Sequence, residues 1–157
     1  MANKYKKFVA TAATATLVAS AIVPVASAAP SDIEGNQFEG YILDAIELGL
    51  FQDNASFNPN NTLTRGHVVL ILGRYLETAG FEPAADYATN PAFADMNTSA
   101  DEEYLRTASI VKEAGVFTGS NGEINWKAPI KREAMAAVLD RLAGAVTGKT
   151  LVEQAAS

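Results

Sequence analysis

Apolar residues recur along this chain at helical rather than strand spacing. Phe38, Tyr41, Ile42, Ala45 and Leu48 fall on one face of a 3.6-residue period, and Gly49 follows them as a helix stop. Val68, Val69, Ile71, Leu72, Tyr75 and Leu76 predict a second helix. Tyr104, Leu105, Ala108, Val111 and Ala114, closed by Gly115, predict a third, and Met135, Val138, Leu139 and Leu142 a fourth. Polar, turn-forming loops separate the members of each pair: Asn58-Pro59-Asn60-Asn61 in the first, Ser120-Asn121-Gly122 in the second. Each loop carries one apolar residue, Phe57 or Ile124, so strand content is expected to be at most a short bridge near each. The pattern predicts an all-α, mainly helical fold.

The helices come in two copies. Gly49-Leu50-Phe51 returns as Gly115-Val116-Phe117, 66 residues on, and Leu63-Thr64-Arg65 returns as Ile130-Lys131-Arg132, 67 residues on. Each copy reads as helix, loop, helix. The expected organisation is a first repeat over 29–80, a linker over 81–92, a second repeat over 93–146 and a tail over 147–157.

The start of the chain belongs to neither copy. Lys4, Lys6 and Lys7 precede an Ala- and Val-rich run from Phe8 to about Val23, and Ala26-Ser27-Ala28 supplies small residues for cleavage. Residues 1–28 therefore read as a secretory signal peptide, and no later apolar run is long enough to span a membrane. Removing three Lys and no acid changes the net charge from −6 to −9. So acidic a chain argues against a nucleic-acid partner, because phosphate neutralisation needs clustered Lys and Arg. With no Cys, the exported protein must fold on its core alone.

Chemistry then turns on the stretch Leu63-Thr64-Arg65-Gly66-His67. Thr64 is a good helix N-cap, but His67 stands where a capping box wants Glu or Gln, so the box is expected to be broken. His67 is the only His, and with no Cys it points neither to a zinc site nor to a catalytic triad. Arg65 and Arg132 occupy the first turns of two helices, where the helix dipole disfavours a cation. The same unfavourable charge in both copies suggests use: free helix amides plus a guanidinium fork form a carboxylate site. The bland alternative is an Arg that pairs with an acid or lies over the core. The loop Asp53 to Asn61 is rich in oxygen donors, but Asn58 and Thr64 stand where a calcium loop needs Gly and Glu, so no metal or other cofactor is expected. Asp101-Glu102-Glu103 reads as a solvated helix start. Trp126, beside Lys127, could stack on a sugar or fill the gap between two helices.

As an ordered set these residues resemble the S-layer homology domain of bacterial surface proteins. The likeness is carried by "FADM" (93–96) and "EAGVFTGSNGEINWKAPIKREAMAAVL" (113–139) in the second copy. In the first it is carried by "SDIEG" (31–35) and "ELGLFQDNASFNPNNTLTRGHVVLIL" (47–72). The leader also looks like those of Bacillus-type S-layer proteins. The departures are specific. The family's Thr-Arg-Ala-Glu is Thr64-Arg65-Gly66-His67 here and Lys131-Arg132-Glu133-Ala134 in the second copy. Ser31 precedes Asp32 without the family's aromatic, and Asp53 stands opposite Gly119. Three repeats usually form one pseudo-threefold unit; two are present, which makes an incomplete pseudo-threefold bundle.

The resemblance implies binding rather than catalysis: non-covalent attachment to a secondary cell-wall polymer, a peptidoglycan-linked glycan often bearing pyruvate, at the cell surface. It implies polymer-binding roles for Arg65, Arg132, Asp32, Asp95 and Gly119. The alternative is a structural module that packs with other such repeats or S-layer subunits without polymer affinity of its own. A carboxylate-based wall hydrolase would need two acids facing each other across a cleft, and no spacing here points to such a pair.

Overall fold

The computed structural model describes residues 29–156. The signal peptide expected over 1–28 lies outside them. The described chain is helical, as the periodicity predicts. A short 3-10 turn, η1 (Ser31–Ile33), precedes α1 (Glu39–Glu47), α2 (Arg65–Thr78), α3 (Glu102–Glu113), α4 (Arg132–Thr147) and α5 (Leu151–Ala155). Strand pairing among the described residues is limited to the isolated bridges Thr64 to Pro129 and Ser120 to Glu123, not the positions of Phe57 and Ile124. The tail is partly ordered: Thr150 and Glu153 close a capping box on α5.

The two copies share backbone devices. Gly49 and Gly115 both adopt φ +70. After each, a six-residue hydrogen bond closes the helix end, Leu50 N–H to Ala45 O at 2.9 Å and Val116 N–H to Val111 O at 2.9 Å. Left-handed backbone at that position is cheap only for glycine. The loops match as well. Asp32 accepts from the amides of Phe57 (2.7 Å) and Asn58 (2.6 Å), and Asp95 from those of Ile124 (2.8 Å) and Asn125 (2.7 Å). Asn58 and Asn125 turn left-handed at φ 57 and 54, a conformation Asn tolerates better than most residues.

Packing is less even than the repeat. The core joins α2, α3, Val138 of α4 and the second loop, with Val69, Leu76, Ile110, Val111, Val116 and Ile124 fully enclosed. Each such aliphatic side chain contributes on the order of 1.5–3 kcal/mol. The stretch expected as linker contributes too: its flanking Phe93 is buried, Phe81 leans on the core, and the Ala84 amide donates to Ser109 Oγ at 2.9 Å. By contrast α1 buries only Ile42, while Phe38, Tyr41 and Leu48 are 56%, 75% and 66% exposed. The apolar face read from sequence is therefore present on α1 but mostly uncovered.

The α2–α3 contact joins the copies. Gly73 lets the helices touch, since a Cβ there would lie 2.4 Å from Thr107 Cβ. Arg74 grips Glu103 through two bonds of 2.7 and 3.0 Å, and Arg106 meets Glu77 at 2.6 Å.

Candidate binding groove

Thr64 caps α2 as expected, but the box is not broken. The Thr64 hydroxyl accepts from the His67 amide at 3.2 Å, and His67 Nδ1 accepts from the Thr64 amide at 3.4 Å. The imidazole supplies the acceptor that Glu usually provides. This contact puts the other ring nitrogen in the N–H form and gives His67 a structural task. At α4 the expected weakness holds, because Lys131 makes no side-chain cap.

The start of α2 is inserted into the second loop. Its first amides are not free. Arg65 N–H donates to Ala128 O at 2.9 Å and Gly66 N–H to Trp126 O at 2.8 Å, while Ile130 N–H returns a bond to Leu63 O at 3.2 Å. The expectation of a site built from free helix amides is corrected here: neighbouring carbonyls take them up. Gly66 permits the approach, since a Cβ would sit 3.0 Å from Trp126 O. Trp126 packs edge-on against Tyr104 at 5.3 Å and carries Lys127 Nζ 5.5 Å from its ring, so it fills the seam while one side stays open.

What remains for a ligand is the guanidinium. Arg65 Nε donates to Ile124 O at 2.5 Å, and Cζ stands 4.7 Å from the centre of the Phe117 ring. Among the described residues no acid pairs with Arg65, and its two terminal NH2 groups make no hydrogen bond. They border a shallow groove of about 210 Å³, whose other wall is Thr118, Gly119, Ala134, Ala137 and Arg141. Arg141 reaches Thr118 Oγ1 at 3.3 Å. The groove thus holds two guanidiniums and no carboxylate, which suits a bidentate anion such as a carboxylate.

The other residues singled out from sequence fall in different places. Gly119 lines this groove at φ +73, and a Cβ would lie 2.6 Å from Glu123 O, so its glycine also has a backbone reason. Asp32 and Asp95 clamp loop amides, and neither borders the groove. The Asp32 carboxyl is held below its ordinary value of 3.8, mainly by the hydrogen bond from Phe57. Arg132 lies exposed at the start of α4 and borders neither this groove nor the larger cavity beside α2. The structure therefore brings Arg65 and Gly119 together and leaves Arg132, Asp32 and Asp95 apart. Thr118 and Arg141 complete the groove. Arg141 is the counterpart of Arg74, 67 residues earlier, and that relation is readable from the repeat. Among the described residues no group of three His, Cys, Asp or Glu could hold a metal.

A helical chain built from two echoing units, with a cationic groove where one enters the other, defines a repeat-built surface module. The S-layer homology domain profile matches residues 31–69, which run from η1 through α1 and the first loop into α2. The chain is 38% identical over 123 residues to the surface-layer 125 kDa protein of Lysinibacillus sphaericus, covering 74% of this chain and 10% of that one. It is 30% identical over 145 residues to the S-layer protein sap of Bacillus anthracis and to an S-layer protein of Bacillus thuringiensis subsp. finitimus, covering 87% of this chain and 16% of each. The chain belongs to the S-layer homology domain proteins of the bacterial cell surface. It spans about a tenth to a sixth of the length of these curated relatives. No solved structure matches it. Among the described residues no helix is long and apolar enough to cross a membrane.

Proposed function

We propose that the protein is a non-catalytic cell-wall anchor that binds an anionic, pyruvylated secondary cell-wall polymer in the groove between residues 29–80 and 93–146, read as two repeats. The observation that carries this is Arg65, held between Ile124 O and the Phe117 ring with its terminal NH2 groups turned to a groove that Arg141 shares. Pre-fixing a guanidinium lowers the entropy lost on binding. A carboxylate reaching both forks would make charge-assisted bonds of about 1.5–3 kcal/mol each. Gly119 keeps the floor open. Under this reading Asp32 and Asp95 shape the loops rather than touch polymer, and Arg132 serves a groove only where a further repeat or subunit covers α4. The test is sedimentation with purified sacculi, with and without their secondary polymer: retention should require the polymer and fall in Arg65→Ala.

A second reading has its own support. The exposed Phe38, Tyr41 and Leu48 on α1 suit packing against other repeats or S-layer subunits, which is the assembly role. Equal retention by sacculi stripped of polymer, together with self-association, would favour it.

A further inference from the structure

The largest described cavity lies elsewhere, between the first loop and α2. It measures about 500 Å³, more than twice the groove of about 210 Å³, and is of small-molecule size. Arg65 and His67 stand two residues apart at the start of α2, about 200° around the helix. Arg65 borders the groove and His67 the cavity, so one helix start separates two sites.

The chemistry of the cavity differs from that of the groove. Its one charged lining residue, Arg74, is already spent on Glu103 at 2.7 and 3.0 Å and on Leu50 O at 2.8 Å. Leu70, Ile71 and Phe57 give an apolar wall, and Phe51 braces Phe57 edge-on at 5.0 Å. Gln52, Asn54, Ser56 and Asn61 also line it, and their side chains make no hydrogen bond among the described residues. Because Nδ1 of His67 accepts from Thr64, its Nε2–H is a further donor on the lining. An aliphatic and aromatic wall beside unengaged amides and hydroxyls, without net charge, matches a pyranose ring, which has an apolar C–H face and a hydroxyl edge.

We propose that this cavity is a saccharide subsite for a neutral, N-acetylated hexose unit, distinct from the anion groove. It rests on the wall-glycan reading only in the choice of ligand. A glycan strand would then meet one side of α2 through its charge and the other through its neutral rings.

The test is an NMR titration of the whole chain with the uncharged disaccharide of N-acetylglucosamine, with N-acetylmuramic acid as the acidic probe. The neutral sugar should shift the Gln52, Asn54, His67 and Ile71 amides saturably. The double variant Gln52→Ala with Asn54→Ala should weaken it about fivefold or more, the loss of one to two neutral hydrogen bonds. Arg65→Ala should leave it unchanged while weakening the acidic probe. The proposal is overturned if those amides do not respond or if the double variant binds as the parent does. It is also overturned if they move with protein concentration alone, because a second copy then fills the cavity. Failure of the acidic probe alone bears on the groove and not on this cavity.

Discussion

At the scale of residues, Arg65 combines two roles that are usually alternatives. It lies over a core aromatic and still offers donors to a ligand. Arg65→Ala is therefore expected to lose about 1–2 kcal/mol of stability, from one hydrogen bond and one cation–π contact. Arg132→Ala, which breaks no hydrogen bond or ion pair among the described residues, should leave the melting temperature unchanged. Paired thermal melts check both. A sequence argument based on the helix dipole alone makes both variants neutral or stabilising. The difference arises because the α2 dipole is met by the Trp126 and Ala128 carbonyls. His67 gives a second residue-scale prediction. His67→Ala removes a working acceptor and should cost about 0.5–1 kcal/mol, whereas His67→Glu should keep the box and lose nothing. Urea midpoints would show it, and equal loss in both variants would contradict the imidazole cap.

At the scale of elements, the α2–α3 contact decides whether the two units hold together. Gly73→Ala drives a methyl into Thr107 and is expected to cost about 2 kcal/mol or more, unfolding the whole chain cooperatively rather than one unit. Calorimetry would reveal two transitions if the units were independent. The same contact sets an acid limit. The Glu103 carboxyl is held below its ordinary value of 4.5, first by its hydrogen bond from Arg74. A depressed carboxyl stabilises the fold fully above its unfolded value, and that contribution fades as pH falls through the lower folded value. Melting temperature should therefore drop as pH falls below about 4.5, and Glu103→Gln should be less stable at neutrality and flatter over that range. The helices themselves are legible in sequence because apolar period and glycine stops are local signals: Gly49 and Gly115 announce the same left-handed turn. The interface is not legible. Nothing in the order of residues says that Arg74 meets Glu103, 29 positions away, or that Gly73 is a contact point rather than a weak spot in a helix. Nor does periodicity reveal that the α1 face stays uncovered, since spacing reports which side is apolar and not what lies against it.

At the scale of the whole molecule, the candidate site belongs to neither repeat. Arg65 comes from one copy and Thr118, Gly119 and Arg141 from the other, so the groove exists only when the start of α2 is seated in the second loop. This is why residue lists transferred by motif alone are only partly reunited in space. Asp32 and Asp95 sit at matching motif positions because both fold a loop, whereas Arg65 and Arg132 match in position but only Arg65 has a loop to enter. The central claim is that the Arg65 groove holds the wall polymer. It is tested most directly by the affinity of the parent, Arg65→Lys and Arg65→Ala for sacculi carrying their secondary polymer, each shown to be folded at the assay temperature. The account predicts a loss of about tenfold or more for Arg65→Ala, the equivalent of one charged hydrogen bond, with only partial recovery in Arg65→Lys. Undiminished affinity in folded Arg65→Ala would contradict it.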